Sequence, residues 1–147
     1  MVKVTNFKTW LENINLDIVS IVKQGFVKIA QNVYNKSIKN GNLMGENGLC
    51  DYLAEAVVSK FSNKFKNVDI SENHIHQHHV SILIVDHNTK TAYDLNIPEE
   101  KYQIYKNDGY FRKPNVVFNV NDVIVTQLNY AKYDYNVPMM QFKSKFS

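Results

Sequence analysis

The chain has 147 residues and carries Lys+Arg 17 against Asp+Glu 14, a net charge of +3, so one domain over residues 1–147, large enough to bury a core without staples, is expected. A charge this small and dispersed argues against a nucleic-acid partner, the more so because Arg112 is the sole arginine able to make a bidentate contact. One cysteine excludes an intrachain disulfide, no apolar run approaches the roughly 20 residues of a membrane span, and the opening MVKVTNFKTWLEN lacks the apolar core of a signal peptide, so a reducing cytoplasm and no membrane partner are the expected setting.

Residues 7–13 carry a short helical pattern. Leu16 to Tyr34 reads as a longer helix, since Ile18, Val22, Phe26, Ile29 and Val33 recur every three or four residues, with Gly25 weakening it slightly. The polar stretch NKSIKNGN leads into a loop holding Gly41, Gly45 and Gly48, three of the five glycines. From Asp51 the residues Leu53, Ala54, Val57, Val58 and Phe61 return to helical spacing, which predicts a helix that begins at Cys50 and ends near Lys64. The period then changes to two. HVSILIVD (79–86) and TAYDLNI (91–97) form the arms of a hairpin across the turn HNTK, and Pro98 ends it. NVVFNV (115–120) and DVIVTQL (122–128) read as further strands, the latter alternatively as a short helix capped by Asn121 or Asp122. Helices first and strands afterwards make an α+β domain with an antiparallel sheet.

Cys50 is the lone thiol, and its place at the cap or in the first turn of a helix sets it where unpaired amide protons and the positive helix end converge. A nucleophile there needs a base and a group that orients the base. His79 opens the first hairpin arm and Asp94 lies near the end of the second, where the antiparallel return brings its carboxylate toward the imidazole. Cys50, His79 and Asp94 are therefore read as nucleophile, base and orienter. His78 is an alternative base, and His79 is preferred because it begins the alternating run.

These segments resemble a known group. GLCDYLAEAV is similar to the nucleophile segment of papain-like and transglutaminase-like cysteine enzymes, HHVSILIVD to their histidine strand and TAYDLNIP to their aspartate strand, over roughly residues 45–98. The resemblance implies a Cys-His-Asp core of Cys50, His79 and Asp94, and a hydrolase (peptidase, amidase or deamidase) acting on a protein or peptide through a thioester, without cofactor or metal. Two departures stand out: no tryptophan follows the cysteine or the histidine, and no oxyanion-hole glutamine can be matched, with Asn47 the candidate substitute.

Three rivals use other residues. His74, His76 and His78 would share one face of an extended strand and could bind zinc, although His78 stands where metallo-β-lactamase-like hydrolases carry an aspartate. HVS (79–81) suits a paired His-x-Ser phosphoesterase, but the second copy is missing. The tract NYAKYDYNVPMMQF, with Tyr130, Tyr133, Tyr135, Met139, Met140 and Phe142, would serve a non-enzymatic protein-interaction module or, the preferred reading, cover the sheet.

Overall fold

The computed structural model describes residues 7–39, 49–76, 79–106 and 109–134. Two helices come first: α1 (Phe7–Lys39) and α2 (Leu49–Phe61). Two antiparallel sheets follow. One has four strands in the order β1 (Val68–Asn73), β2 (Ser81–Asp86), β3 (Thr91–Asn96), β6 (Ile124–Leu128), and the other pairs β4 (Gln103–Lys106) with β5 (Gly109–Arg112). The α+β order of helices and then an antiparallel sheet is thus the architecture of the chain.

The two expected N-terminal helices are one continuous helix of 33 residues. No proline or glycine stands between Phe7 and Gln24, so nothing interrupts its hydrogen-bond ladder. Ile18, Val22, Phe26, Ala30, Tyr34 and Ser37 form its buried stripe. That stripe faces α2, whose Leu49, Cys50, Leu53, Ala54, Val57 and Phe61 are buried in turn. Each large aliphatic or aromatic side chain withdrawn from water here contributes about 1.5–3 kcal/mol. Gly25 lies against α2: a Cβ there would run into the Phe61 ring. Helix α2 ends at Phe61 rather than near Lys64, and Asn63 takes a left-handed φ of 65° just beyond it, the backbone that asparagine tolerates after a helix.

Strand β2 is central and buried on both faces except at Leu83, which is why SILIVD reads as a nearly unbroken apolar run. Its neighbour β1 escaped the sequence reading, because only Val68 and Ile70 supply its apolar alternation. The turn from β2 to β3 is held by Asp86, whose Oδ1 accepts from the amides of Asn88 (2.9 Å) and Thr89 (3.4 Å). This fixes the register: Asp86 pairs with Thr91, Leu83 with Asp94 and Ile82 with Leu95.

The expected strand 115–120 does not form. The backbone there is bonded to side chains of α1: Gln31 donates to the Val116 carbonyl (3.1 Å) and accepts from the Phe118 amide (2.9 Å), and the Tyr34 hydroxyl donates to the Lys113 carbonyl. Asn119 then caps a short 3-10 turn, Val120–Asp122, in a reciprocal box with Asp122, so the last strand starts at Ile124. Arg112 is buried, bonded to Gln103 (3.0 Å) and Ser37 (3.3 Å), and ties the β4–β5 hairpin to α1. Among the described residues no helix is long and apolar enough to cross a membrane.

Candidate functional site

The site is built where the first turn of α2 meets the open end of the β2–β3 hairpin. Cys50 is the second residue of α2 and is 7 % exposed. His79 precedes β2 in a turn, its amide donating to the His76 carbonyl at 3.4 Å. Its ring is 12 % exposed. One side is fixed by Asn96, the last residue of β3, whose Oδ1 lies 2.6 Å from Nε2. Nδ1 faces the other way, 3.4 Å from Oε1 of Glu99. The Cys50 sulfur, a ring nitrogen of His79 and a carboxylate oxygen of Glu99 all lie within 4.8 Å of one another. Nδ1 itself is buried and has no hydrogen-bond partner, with the Glu99 carboxylate 3.4 Å away.

Burial works against charging this imidazole. Contact with the Cys50 sulfur, the Asn96 amide oxygen, and negative charge on Cys50 and Glu99 outweigh it, and its pKa rises from 6.5 to about 9. At neutral pH His79 is therefore an imidazolium. The arrangement can hold a proton beside the sulfur and release it across a short path.

No protein-family model, curated protein or solved structure matches the chain.

The structure brings Cys50 and His79 together and places Asp94 elsewhere. Asp94 is buried, its Oδ1 accepting from Asn73 Nδ2 (2.8 Å) and from the Ser81 hydroxyl, its Oδ2 3.1 Å from Nε2 of His76. Asp94, read from the sequence as the group that orients His79, bonds His76, Asn73 and Ser81 instead, and the side chain bonded to the His79 ring is Asn96. Register is the reason: continued three residues past Ile82–Leu95, the pairing sets His79 beside Pro98, so Asn96 is its nearest same-face neighbour on β3. Asp94 is two residues further, about 7 Å along the strand.

The other histidines are dispersed. His74 follows β1 outside any strand and pairs with Glu72 at 3.4 Å, while His76 pairs with Asp94. The extended strand that was to align His74, His76 and His78 is absent at His74 and His76, and His78 lies outside the described residues. Among the described residues, the set of three side chains that could close on one cation is Cys50, His79 and Glu99. Ser81 of the HVS run is wholly buried and bonded to Asp94, which leaves it no access to a phosphoester. In the aromatic tract, Tyr130 bonds Nδ1 of His87 at 2.7 Å and Tyr133 is half-buried, while Tyr135, Met139, Met140, Phe142 and also Asn47 lie outside the described residues.

Asn96 and Glu99 were missed from the sequence. The signal for Asn96 was present: an aspartate before a four-residue turn fixes the pairing, and counting outward from it reaches Asn96. Glu99 had none, since its place depends on the 3-10 turn after Pro98.

Proposed function

We propose that this chain is a cysteine hydrolase acting on amide bonds of a protein or peptide, with Cys50 as nucleophile, His79 as acid–base and Asn96 as the group that orients His79. The observation that supports it is one imidazole held by Asn96 at Nε2 with the Cys50 sulfur within 4.8 Å of a ring nitrogen. Cys-His-Asn is a recurrent variant of the nucleophile–base–orienter arrangement. A papain-like or transglutaminase-like architecture is the finer form of the same proposal, supported by helix α2 presenting the thiol to the strand that follows the histidine.

In the first half-reaction the Cys50 sulfur forms a bond to the amide carbon, and the π electrons of the carbonyl move to its oxygen. Collapse of that adduct breaks the C–N bond. His79 gives its proton to the departing amine, or to ammonia when the substrate is a side-chain amide, and a thioester remains on Cys50. Water then attacks the thioester with neutral His79 taking its proton, the C–S bond breaks, and the carboxylic acid leaves. Asn96 accepts from Nε2–H throughout, which keeps Nδ1 turned to the sulfur. A reducing cytoplasm is the setting that keeps such a thiol free.

Hydroxylamine tests the thioester. With a mixed set of peptide and glutamine-containing protein substrates, wild-type protein should release amine and divert the acyl group to a hydroxamate, and Cys50→Ala should do neither. Amine release unchanged in Cys50→Ala would sink the proposal.

A further inference from the structure

Among the described residues three buried side-chain polar atoms lack a hydrogen-bond partner: Nδ1 of His79, Oδ2 of Asp86 and the hydroxyl of Tyr102. Asp86 and Tyr102 lie in the core, and Asp86 uses its other oxygen to hold the β2–β3 turn. Of the three, Nδ1 of His79 stands among groups that bind cations. It is 3.4 Å from Oε1 of Glu99, and the Cys50 sulfur, a carboxylate oxygen of Glu99 and a ring nitrogen of His79 lie within 4.8 Å of one another. A buried nitrogen left unpartnered in that company calls for an ion as much as for a proton.

The spacing fits a tetrahedral cation. Bonds from zinc to a nitrogen and an oxygen, spread at the tetrahedral angle, leave those two ligand atoms about 3.3–3.4 Å apart. The 3.4 Å between Nδ1 and Oε1 is long for a hydrogen bond and right for that edge. A zinc-bound thiolate stands about 3.6 Å from such a nitrogen, so a sulfur within 4.8 Å has little more than about 1 Å to close. The tautomer is set as well. Nε2 lies 2.6 Å from the amide oxygen of Asn96, which accepts, so the neutral ring keeps its proton on Nε2 and its lone pair on Nδ1. A carbonyl behind the ring is how metal sites orient a histidine ligand. Entry is from the Glu99 side, whose side chain is 25 % exposed against 12 % for the His79 ring and sits on the short turn Glu99–Lys101. Thiolate, imidazole and carboxylate together suit zinc, whereas magnesium and calcium take oxygen ligands.

We infer that Cys50, His79 and Glu99 bind an exchangeable zinc ion through Sγ, Nδ1 and one carboxylate oxygen, with water as the fourth ligand. Binding sends the thiol proton, and the Nδ1 proton of a charged ring, into solvent as the three metal–ligand bonds form. Because one of the three ligands lies on a partly exposed turn, the ion can leave to a chelator. Zinc occupies the sulfur and the nitrogen that hydrolysis would use and so switches the chain off. That consequence, unlike the binding itself, rests on Cys50 being the nucleophile.

Cobalt reports such a site without an activity assay. Full-length, tag-free protein treated with chelator and then titrated with Co²⁺ should develop, at one ion per chain, the near-ultraviolet band of a cobalt thiolate and the intense visible bands of a tetrahedral ion. Zn²⁺ should erase both, and excess chelator should restore the metal-free spectrum. Cys50→Ala should lose the near-ultraviolet band, and Glu99→Gln and Asn96→Ala should each weaken zinc binding by about 10–100-fold. Saturating zinc should slow iodoacetamide alkylation of Cys50 by about 10-fold or more. Binding without the sulfur band, or an affinity unchanged in Glu99→Gln, would overturn the inference and leave Cys50 as nucleophile untouched. An ion that excess chelator cannot remove would overturn the exchange and the nucleophile reading with it. A metal-free Cys50 inert to iodoacetamide beside the full cobalt spectrum would support the zinc site and overturn the nucleophile reading alone.

Discussion

His76 and His79 lie three residues apart with their rings edge to face, 5.9 Å between centroids, yet they sit in opposite kinds of surroundings. His76 is paired with the buried carboxylate of Asp94, which also satisfies Asn73 and Ser81. Every partner in that group is engaged within it. His79 is held by a neutral amide on one side and meets a thiol and a carboxylate on the other, with its Nδ1 left unbonded. A saturated polar cluster ties strands together, whereas an imidazole fixed on one edge and open on the other can move a proton. Adjacent histidines thus divide the work: the first cluster holds the end of the sheet on which the second presents its ring.

The sharpest way to break this division is to exchange the two rings' losses. His79→Ala and Cys50→Ala should each lower amide hydrolysis by about 10³-fold or more, and combining them should cost little further, because members of one catalytic unit fail together. His76→Ala should keep most of the activity. Loss at His76 with tolerance at His79 would reverse the assignment.

Asp94→Ala should act on stability, since it strands the polar groups of Asn73, Ser81 and His76; a loss of about 3–5 kcal/mol in urea unfolding is expected. Asn96→Ala should do the reverse, slowing hydrolysis by about 10-fold or more while costing about 1 kcal/mol. Equal stability losses would erase the distinction between the two clusters.

The charge on His79 gives a pH signature. Its pKa in the folded chain, about 9, lies above the 6.5 of an ordinary histidine, so the stabilisation is complete below pH 6.5 and is lost as pH rises toward 9. Wild type should exceed His79→Gln by an amount on the order of 3 kcal/mol at pH 6. The gap should close by pH 9.5, and the rate of amide hydrolysis should decline on the same alkaline side. A gap that widens with pH would mean that His79 is folded as the neutral ring.

Gly25→Ala serves as the control remote from both histidines. It displaces the Phe61 ring and should cost about 1–3 kcal/mol without altering the pH profile. The smallest effect is expected of chelators, which should leave the thermal midpoint unchanged; one tightly held metal ion per chain would move the reading of Cys50, His79 and Glu99 from covalent chemistry to metal binding.

Much of this was legible in the sequence wherever apolar period and turn chemistry coincided. SILIVD and TAYDLN announced themselves by β-branched and alternating residues, and the helix through Leu53 and Val57 by its spacing. Where tertiary partners decided the backbone, the sequence misled: Val116 and Phe118 have strand-like side chains, but Gln31 and Tyr34 take up the backbone groups that a ladder would use. The site divided in the same way. Cys50 and His79 were visible as residue types at element starts, but the choice between Asp94 and Asn96 turns on a shift of two residues in register, and chemistry alone favoured the carboxylate. Glu99 reaches the site through a 3-10 turn that carries no local signature.

The central claim, that Cys50 is a nucleophile activated by His79, is tested most directly by the alkylation rate of the native protein. Iodoacetamide should modify wild-type Cys50 at neutral pH, read by intact mass, faster than it modifies a small free thiol, and His79→Ala should bring the rate down to that thiol's or below. A Cys50 that stays unmodified until the chain is unfolded, or that reacts equally fast without His79, would contradict the claim.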